Sequence, residues 1–86
     1  MFTVQYLDSV KEDLRGLPKS VKEKLRKAIE KKLILNPIEF GKPLQYSLKG
    51  LRRLRVEDYR IIYQIEIETK TVLIVKVGHR KEVYEE

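Results

Sequence analysis

Apolar and polar residues change rhythm several times along the chain, and each change marks an element. Phe2, Val4 and Tyr6 alternate with Thr3, Gln5 and Leu7, the two-residue period of a half-buried strand. From Val10 the spacing lengthens. Val10, Leu14 and Leu17 recur at four and three residues, one face of a short helix that Asp8 or Ser9 is placed to cap and Gly16 to weaken at its end. Pro18 suits the first turn of a second helix, where Val21, Leu25, Ala28, Ile29 and Leu33 form an apolar stripe. Lys19, Lys22, Lys24, Arg26, Lys27, Lys31 and Lys32 fill the rest of its surface. This helix is expected to end at Asn36-Pro37, because the residue before proline avoids the helical region.

Residues 38–49 read as a connecting segment broken by Gly41 and Pro43, with Tyr46 and Leu48 as its anchors. Strict alternation then returns. Leu51 to Tyr63 predicts two strands joined by a tight turn at Glu57-Asp58, with Leu54 and Val56 on one face and Arg53 and Arg55 on the other. After the turn Tyr59, Ile61, Tyr63, Ile65 and Ile67 share a face, opposite Arg60, Gln64 and Glu66. Thr69-Lys70 makes another turn, and the apolar run Val72 to Val77 suits an interior strand. Continued alternation puts Arg80 on the side of Lys76, opposite Leu73, Val75 and Val77. The order is β-α-α-β-β-β, an α+β domain over residues 1–86 with a helical hairpin packed against a mainly antiparallel, twisted sheet.

Composition narrows the function classes. Nineteen Lys and Arg against thirteen Asp and Glu give a net charge of +6 on 86 residues. Polyanions are the natural partners of such a surface; charge-rich surfaces also mark proteins from hot environments. The absence of cysteine excludes disulfides and thiolate metal sites and suits a cytoplasmic protein. Neither a signal-peptide pattern nor an apolar run of membrane-spanning length is present, so a soluble chain is expected.

Few constellations for chemistry remain. His79 is the single histidine, so paired-imidazole catalysis and multi-histidine metal sites are excluded within one chain. No P-loop, dinucleotide-type glycine pattern or G-x-S-x-G elbow occurs. Glu12, Asp13, Glu23 and Glu30 lie among basic residues at helical spacing and read as surface ion-pair partners. What stands out is arginine. Arg53 and Arg60 share the polar face of the hairpin, and the neighbouring strand can bring Arg80 beside them. Guanidinium groups gathered in this way repel unless an anion sits among them; the competing reading pairs each with Glu57, Asp58, Glu66 or Glu82 at the surface. The lysine-rich second helix is either a solvated face or a contact for RNA phosphates.

Two motifs carry a resemblance. Gly50-Leu51-Arg52-Arg53-Leu54-Arg55-Val56-Glu57-Asp58-Tyr59-Arg60-Ile61-Ile62-Tyr63, followed by Val77-Gly78-His79-Arg80-Lys81-Glu82-Val83-Tyr84, resembles the RelE branch of the RelE/ParE toxin superfamily. The order of elements fits over nearly the whole chain. The resemblance implies a type II toxin that enters the ribosomal A site and cuts mRNA by attack of a 2′-hydroxyl on the adjacent phosphate, without metal or cofactor. Carried over by motif, Arg60 and Arg80 match the phosphate-stabilising arginines, Tyr84 the functional tyrosine, and Arg53 a position that is often lysine. Arg52, Arg55, Lys49, Lys76 and Lys81 are the basic residues implied to hold RNA. The implied partners are a RelB-like antitoxin, the ribosome and mRNA. Leu51 departs from the pattern at a position that is basic in relatives. Arginine at position 53 is also a poor base, so proton removal falls on Tyr84. Two alternatives use the same scaffold: a ParE-like, non-enzymatic inhibitor of DNA gyrase, and an RNA-binding or inactive relative.

Overall fold

A computed structural model describes residues 1–45 and 50–83. Strand β1 (Thr3–Tyr6) leads into α1 (Asp8–Arg15) and α2 (Lys19–Ala28), the latter prolonged by a π-helical turn over Ile29–Leu33. A one-turn helix, α3 (Pro37–Phe40), and a two-residue strand, β2 (Lys42–Pro43), precede the meander β3 (Arg52–Val56), β4 (Tyr59–Glu66) and β5 (Thr71–His79). The sheet order is β1-β5-β4-β3-β2, with β1 parallel to β5 and every other pair antiparallel.

The helical stripe and the alternating strand positions meet as the sequence requires. Val10, Leu25, Ile29 and Leu33 from the helical layer pack with Leu54, Ile61, Tyr63, Val72, Ile74 and Val77 from one sheet face. Leu14, Leu17, Val21 and Ala28 border this core. The surface carboxylates pair largely as expected, Glu12 with Arg15 and both Glu23 and Glu30 with Arg26. Asp13 instead reaches Lys76 of β5 (3.4 Å), and Lys24 of α2 reaches Glu57 of the β3–β4 turn (3.1 Å).

Four local expectations are corrected. Leu7, rather than Asp8 or Ser9, occupies the N-cap of α1, its carbonyl accepting from the Val10 and Lys11 amides. The second helix does not run uniformly to Asn36: its last turn is π-helical, with the Ile34 amide bonded to the Ile29 carbonyl (3.0 Å). Asn36 then caps α3, its side chain accepting from the Glu39 amide (3.2 Å), so part of the presumed connecting segment is ordered structure. The proposed anchors Tyr46 and Leu48 lie outside the described residues.

The fourth correction concerns β5. Ile62 pairs with Lys76 but Tyr63 with Ile74, so Val75 is an extra residue, a β-bulge. Core-facing positions therefore change phase, from Val72 and Ile74 before the bulge to Val77 after it. Leu73 and Val75 do not share the face of Val77, as unbroken alternation would require. Among the described residues no helix is long and apolar enough to cross a membrane.

Candidate functional site

The sheet face turned away from the helices carries the cations, and strand register fixes their spacing. Arg55 lies directly across from Arg60, and Arg60 in turn from Gly78. One pair further along, Lys42, Arg53, Ile62 and Lys76 form a row across four strands. Arg53 and Arg60 are diagonal neighbours, within reach of one long side chain. Ile62, only 4% exposed, forms an apolar floor between basic rows.

Arg60 is 7% exposed and turned into the hairpin. Its Nη1 donates to the carbonyl oxygens of Glu57 (3.1 Å) and Tyr59 (3.0 Å). Carbonyl dipoles thus compensate part of the charge that burial takes from water. The turn that provides them has left-handed backbone at Glu57 (φ 56°), which bends the chain back toward the Arg60 side chain.

Arg80 stands past the end of β5 at the same end of the sheet. Its amide donates to the Asp58 carbonyl (2.7 Å), continuing the β4–β5 ladder by one bond, while its Nε is 3.8 Å from Asp58 Oδ1. Its side chain is 57% exposed, so this ion pair is loose and open to competition from another anion. The chain then turns back, with the Glu82 and Val83 amides donating to the His79 carbonyl. His79 Nδ1 accepts from the Lys81 amide (3.1 Å), and its ring meets Tyr59 edge-on (5.5 Å). Gly78 leaves room for this return, because a Cβ there would lie 2.9 Å from Val83 Cγ2.

The remaining sequence-derived candidates divide. Arg53 and Arg55 lie on the basic face; Lys76 falls in the same row by register, but its ammonium is drawn to Asp13 of α1. Lys81 is exposed beside Arg80. Arg52 serves the fold: its Nη2 donates to the carbonyls of Ile38 and Gly41, tying α3 and the start of β2 to β3. Tyr63 completes that tie by donating to the buried Pro37 carbonyl (2.6 Å). Burial pushes the Tyr63 hydroxyl above its usual range, with the Arg52 guanidinium pulling the other way. Lys49 and Tyr84 lie outside the described residues. Asp58, one of the surface partners offered by the sequence, is the one that pairs with Arg80, whereas Lys42, set beside Arg53 by register, escaped sequence reasoning. The Gly41-Lys42-Pro43 punctuation was the available signal for the latter, since lysine and proline are typical of edge strands. Among the described residues no group of three or more His, Cys, Asp or Glu side chains is placed to hold a metal ion.

A basic sheet face over a helical core, with an exposed arginine and a buried one at the same end of the sheet, defines a small basic α+β module. Residues 4–84 match the family described as ParE toxin of type II toxin–antitoxin system, parDE, and the chain belongs to that family. It is a toxin of the RelE type. Toxin RelG of Mycobacterium tuberculosis (strain ATCC 25618 / H37Rv) is 32% identical over 96% of this chain and 95% of its own length. The toxin–antitoxin complex RelBE2 from Mycobacterium tuberculosis superimposes with a TM-score of 0.85 at 33% identity, over 92% of this chain and 91% of that chain. The isolated Escherichia coli RelE toxin shares the fold with a TM-score of 0.78 at 23% identity, covering 92% of this chain and 84% of that chain.

Proposed function

We propose that this toxin is a ribosome-dependent mRNA endoribonuclease that works by attack of a ribose 2′-hydroxyl on the adjacent phosphate. The observation that carries the reading is the register that sets Arg55 across from Arg60 and Arg53 diagonal to it, with Arg80 at the same end of the sheet. The reaction forms a bond from the 2′-oxygen to phosphorus and breaks the bond to the 5′-oxygen, leaving a 2′,3′-cyclic phosphate and a 5′-hydroxyl. Negative charge accumulates on the phosphorane, and fixed guanidinium groups stabilise it more than they stabilise the diester.

The geometry supports different tasks for the arginines. Arg80, exposed and loosely held by Asp58, exchanges that carboxylate for a phosphate oxygen. Arg60, anchored by the turn carbonyls, supplies a fixed positive field, and Arg53 adds charge from the adjacent strand. Tyr84 is assigned by its motif to orient the nucleophile, stack on a base or take the 2′ proton. In this reading the protein works in the cytoplasm with ribosome and mRNA, and a RelB-like antitoxin restrains it; the similar RelBE2 structure is a toxin–antitoxin complex.

The test is translation of a defined message in a purified system, with RNA ends mapped by primer extension. Cuts within A-site codons that require ribosomes and fall at least ~100-fold with Arg80→Ala are expected, as for loss of a charge-stabilising group. Intact message with the wild-type protein refutes the reading. The ParE description of the matched family favours one alternative, non-enzymatic inhibition of DNA gyrase. In that case Arg80→Ala leaves gyrase inhibition unchanged.

A further inference from the structure

Because β2 is only two residues long, its pairing with β3 extends, among the described residues, only over Arg52 and Arg53. The resulting recess, about 180 Å³, is lined by Lys32, Phe40, Lys42, Arg53, Leu54 and Arg55. Phe40 is 48% exposed, whereas Phe2, Tyr6, Tyr59 and Tyr63 are all buried or half-buried. An aromatic ring is thus presented to solvent at the rim of four cationic side chains, two of which, Arg53 and Arg55, also belong to the basic sheet face. Lys32 Nζ lies over the Phe40 ring at 5.8 Å. Among the described residues no carboxylate lines the recess.

We propose that this recess is a binding subsite for one nucleotide of single-stranded RNA, with the Phe40 ring stacked on the base and Lys42 and Lys32 on the flanking phosphates. The inference deepens the ribonuclease reading and rests on it for the identity of the ligand. Stacking on an aromatic ring beside a cationic track is how proteins hold single strands without reading sequence. The contact of Lys32 with the ring is an exposed cation–π pair, weaker than base stacking, so an entering base displaces the ammonium toward phosphate. A recess of this size takes one planar group rather than a helix, whose diameter with side chains is about 10–12 Å. Continuity through Arg53 and Arg55 gives the strand a path from the recess to Arg60 and Arg80.

The test measures fluorescence anisotropy of a short labelled 2′-O-methyl RNA, which resists cleavage by its own 2′-oxygen, against the full chain at several salt concentrations. Phe40→Ala is expected to weaken binding roughly 10- to 100-fold with the salt slope unchanged, and Phe40→Trp to retain it. Lys42→Gln is expected to reduce the slope of log K against log salt by about 0.7. Thermal melts of each variant verify folding, and retention by Phe40→Trp separates stacking from loss of structure. Wild-type affinity in Phe40→Ala overturns the proposal, as does a Phe40→Ala variant that spares RNA but releases the antitoxin, which makes the recess a protein interface. The message-cutting assay separates the two readings. If wild-type protein cuts nothing while Phe40-dependent RNA binding persists, the ribonuclease reading fails and the subsite stands. Cutting with RNA affinity indifferent to Phe40 sinks the subsite alone.

Discussion

Gly41→Ala tests how the edge of the sheet is held in place. The backbone at Gly41 is extended (φ −97°, ψ 167°), a conformation alanine adopts readily, so any penalty must come from contact. A Cβ there would lie 2.6 Å from Tyr63 Cζ and 2.9 Å from Cε1, and against the hydroxyl itself. Tyr63 is fully buried and bonded to the Pro37 carbonyl (2.6 Å), so its ring has no open direction in which to move. Displacing it forfeits that hydrogen bond and strands a buried carbonyl, about 1–3 kcal/mol. Overpacking of the core adds about 1–3 kcal/mol. The expected loss is therefore roughly 2–6 kcal/mol, and even its lower end lowers the melting midpoint of a domain this size by roughly 10 °C. Urea unfolding followed by circular dichroism gives the number. Gly16→Ala is the control: its backbone is helical (φ −81°, ψ −5°) and its Cβ meets nothing closer than 3.7 Å, so it is expected to stabilise by about 0.4–1 kcal/mol. Tyr63→Phe should be costly alone but nearly free in the Gly41→Ala background, because the hydroxyl bond is already broken there. A Gly41→Ala protein within about 0.5 kcal/mol of wild type, or strict additivity of the pair, refutes the reasoning.

Two further outcomes follow from the same geometry. Burial raises the Tyr63 and Tyr6 hydroxyls above their ordinary value of 10.0, so the folded state holds both protons more tightly than the unfolded chain. Their contribution is complete below about pH 10 and is lost as pH rises through the folded values; urea midpoints should fall across this range, less steeply in Tyr63→Phe. Asp58→Asn removes the carboxylate 3.8 Å from Arg80 while leaving the backbone bond between the two residues, so RNA affinity should rise a few-fold with a stability change of only ~0–1 kcal/mol. Reduced RNA affinity in that variant contradicts a competing role for Asp58, and anisotropy titration decides.

The sequence was most legible where one rule acted alone. Leu54, Val56, Tyr59, Ile61 and Tyr63 alternate around a two-residue turn, and they face the helices as their spacing requires. Val10, Leu25, Ile29 and Leu33 follow helical spacing into the same core. Legibility failed where long-range pairing overrides local pattern. In an uninterrupted apolar run, Val75 carries no mark that distinguishes a bulge from ordinary strand, yet it changes the phase of everything after it. The parallel pairing of β1 with β5 joins the two ends of the chain, and no local rule encodes it. At the site, arginine content and spacing were visible, but the destination of each guanidinium was not. Arg52 and Arg53 are adjacent in sequence, so strand alternation turns them to opposite sides; one is consumed by the carbonyls of Ile38 and Gly41, and the other joins the basic face.

The C-terminal motif acquires a physical meaning from these contacts. Gly78 has no side chain because Val83 returns onto the sheet at that point, where a Cβ would come within 2.9 Å. His79 holds the return by accepting the Lys81 amide on Nδ1. Arg80 sits between these two constraints, its amide locked to the Asp58 carbonyl and its guanidinium left exposed. The result is a rigidly placed backbone with an adaptable charged end. Arg60 is the converse, a buried guanidinium fixed by the carbonyls of Glu57 and Tyr59. Setting Arg55 directly opposite Arg60 brings like charges together across the strands, a juxtaposition that weakens a sheet rather than stabilising it. In the ribonuclease reading proposed above, a phosphate at this face offsets that juxtaposition, the fixed arginine supplying a standing field and the adaptable one a direct contact.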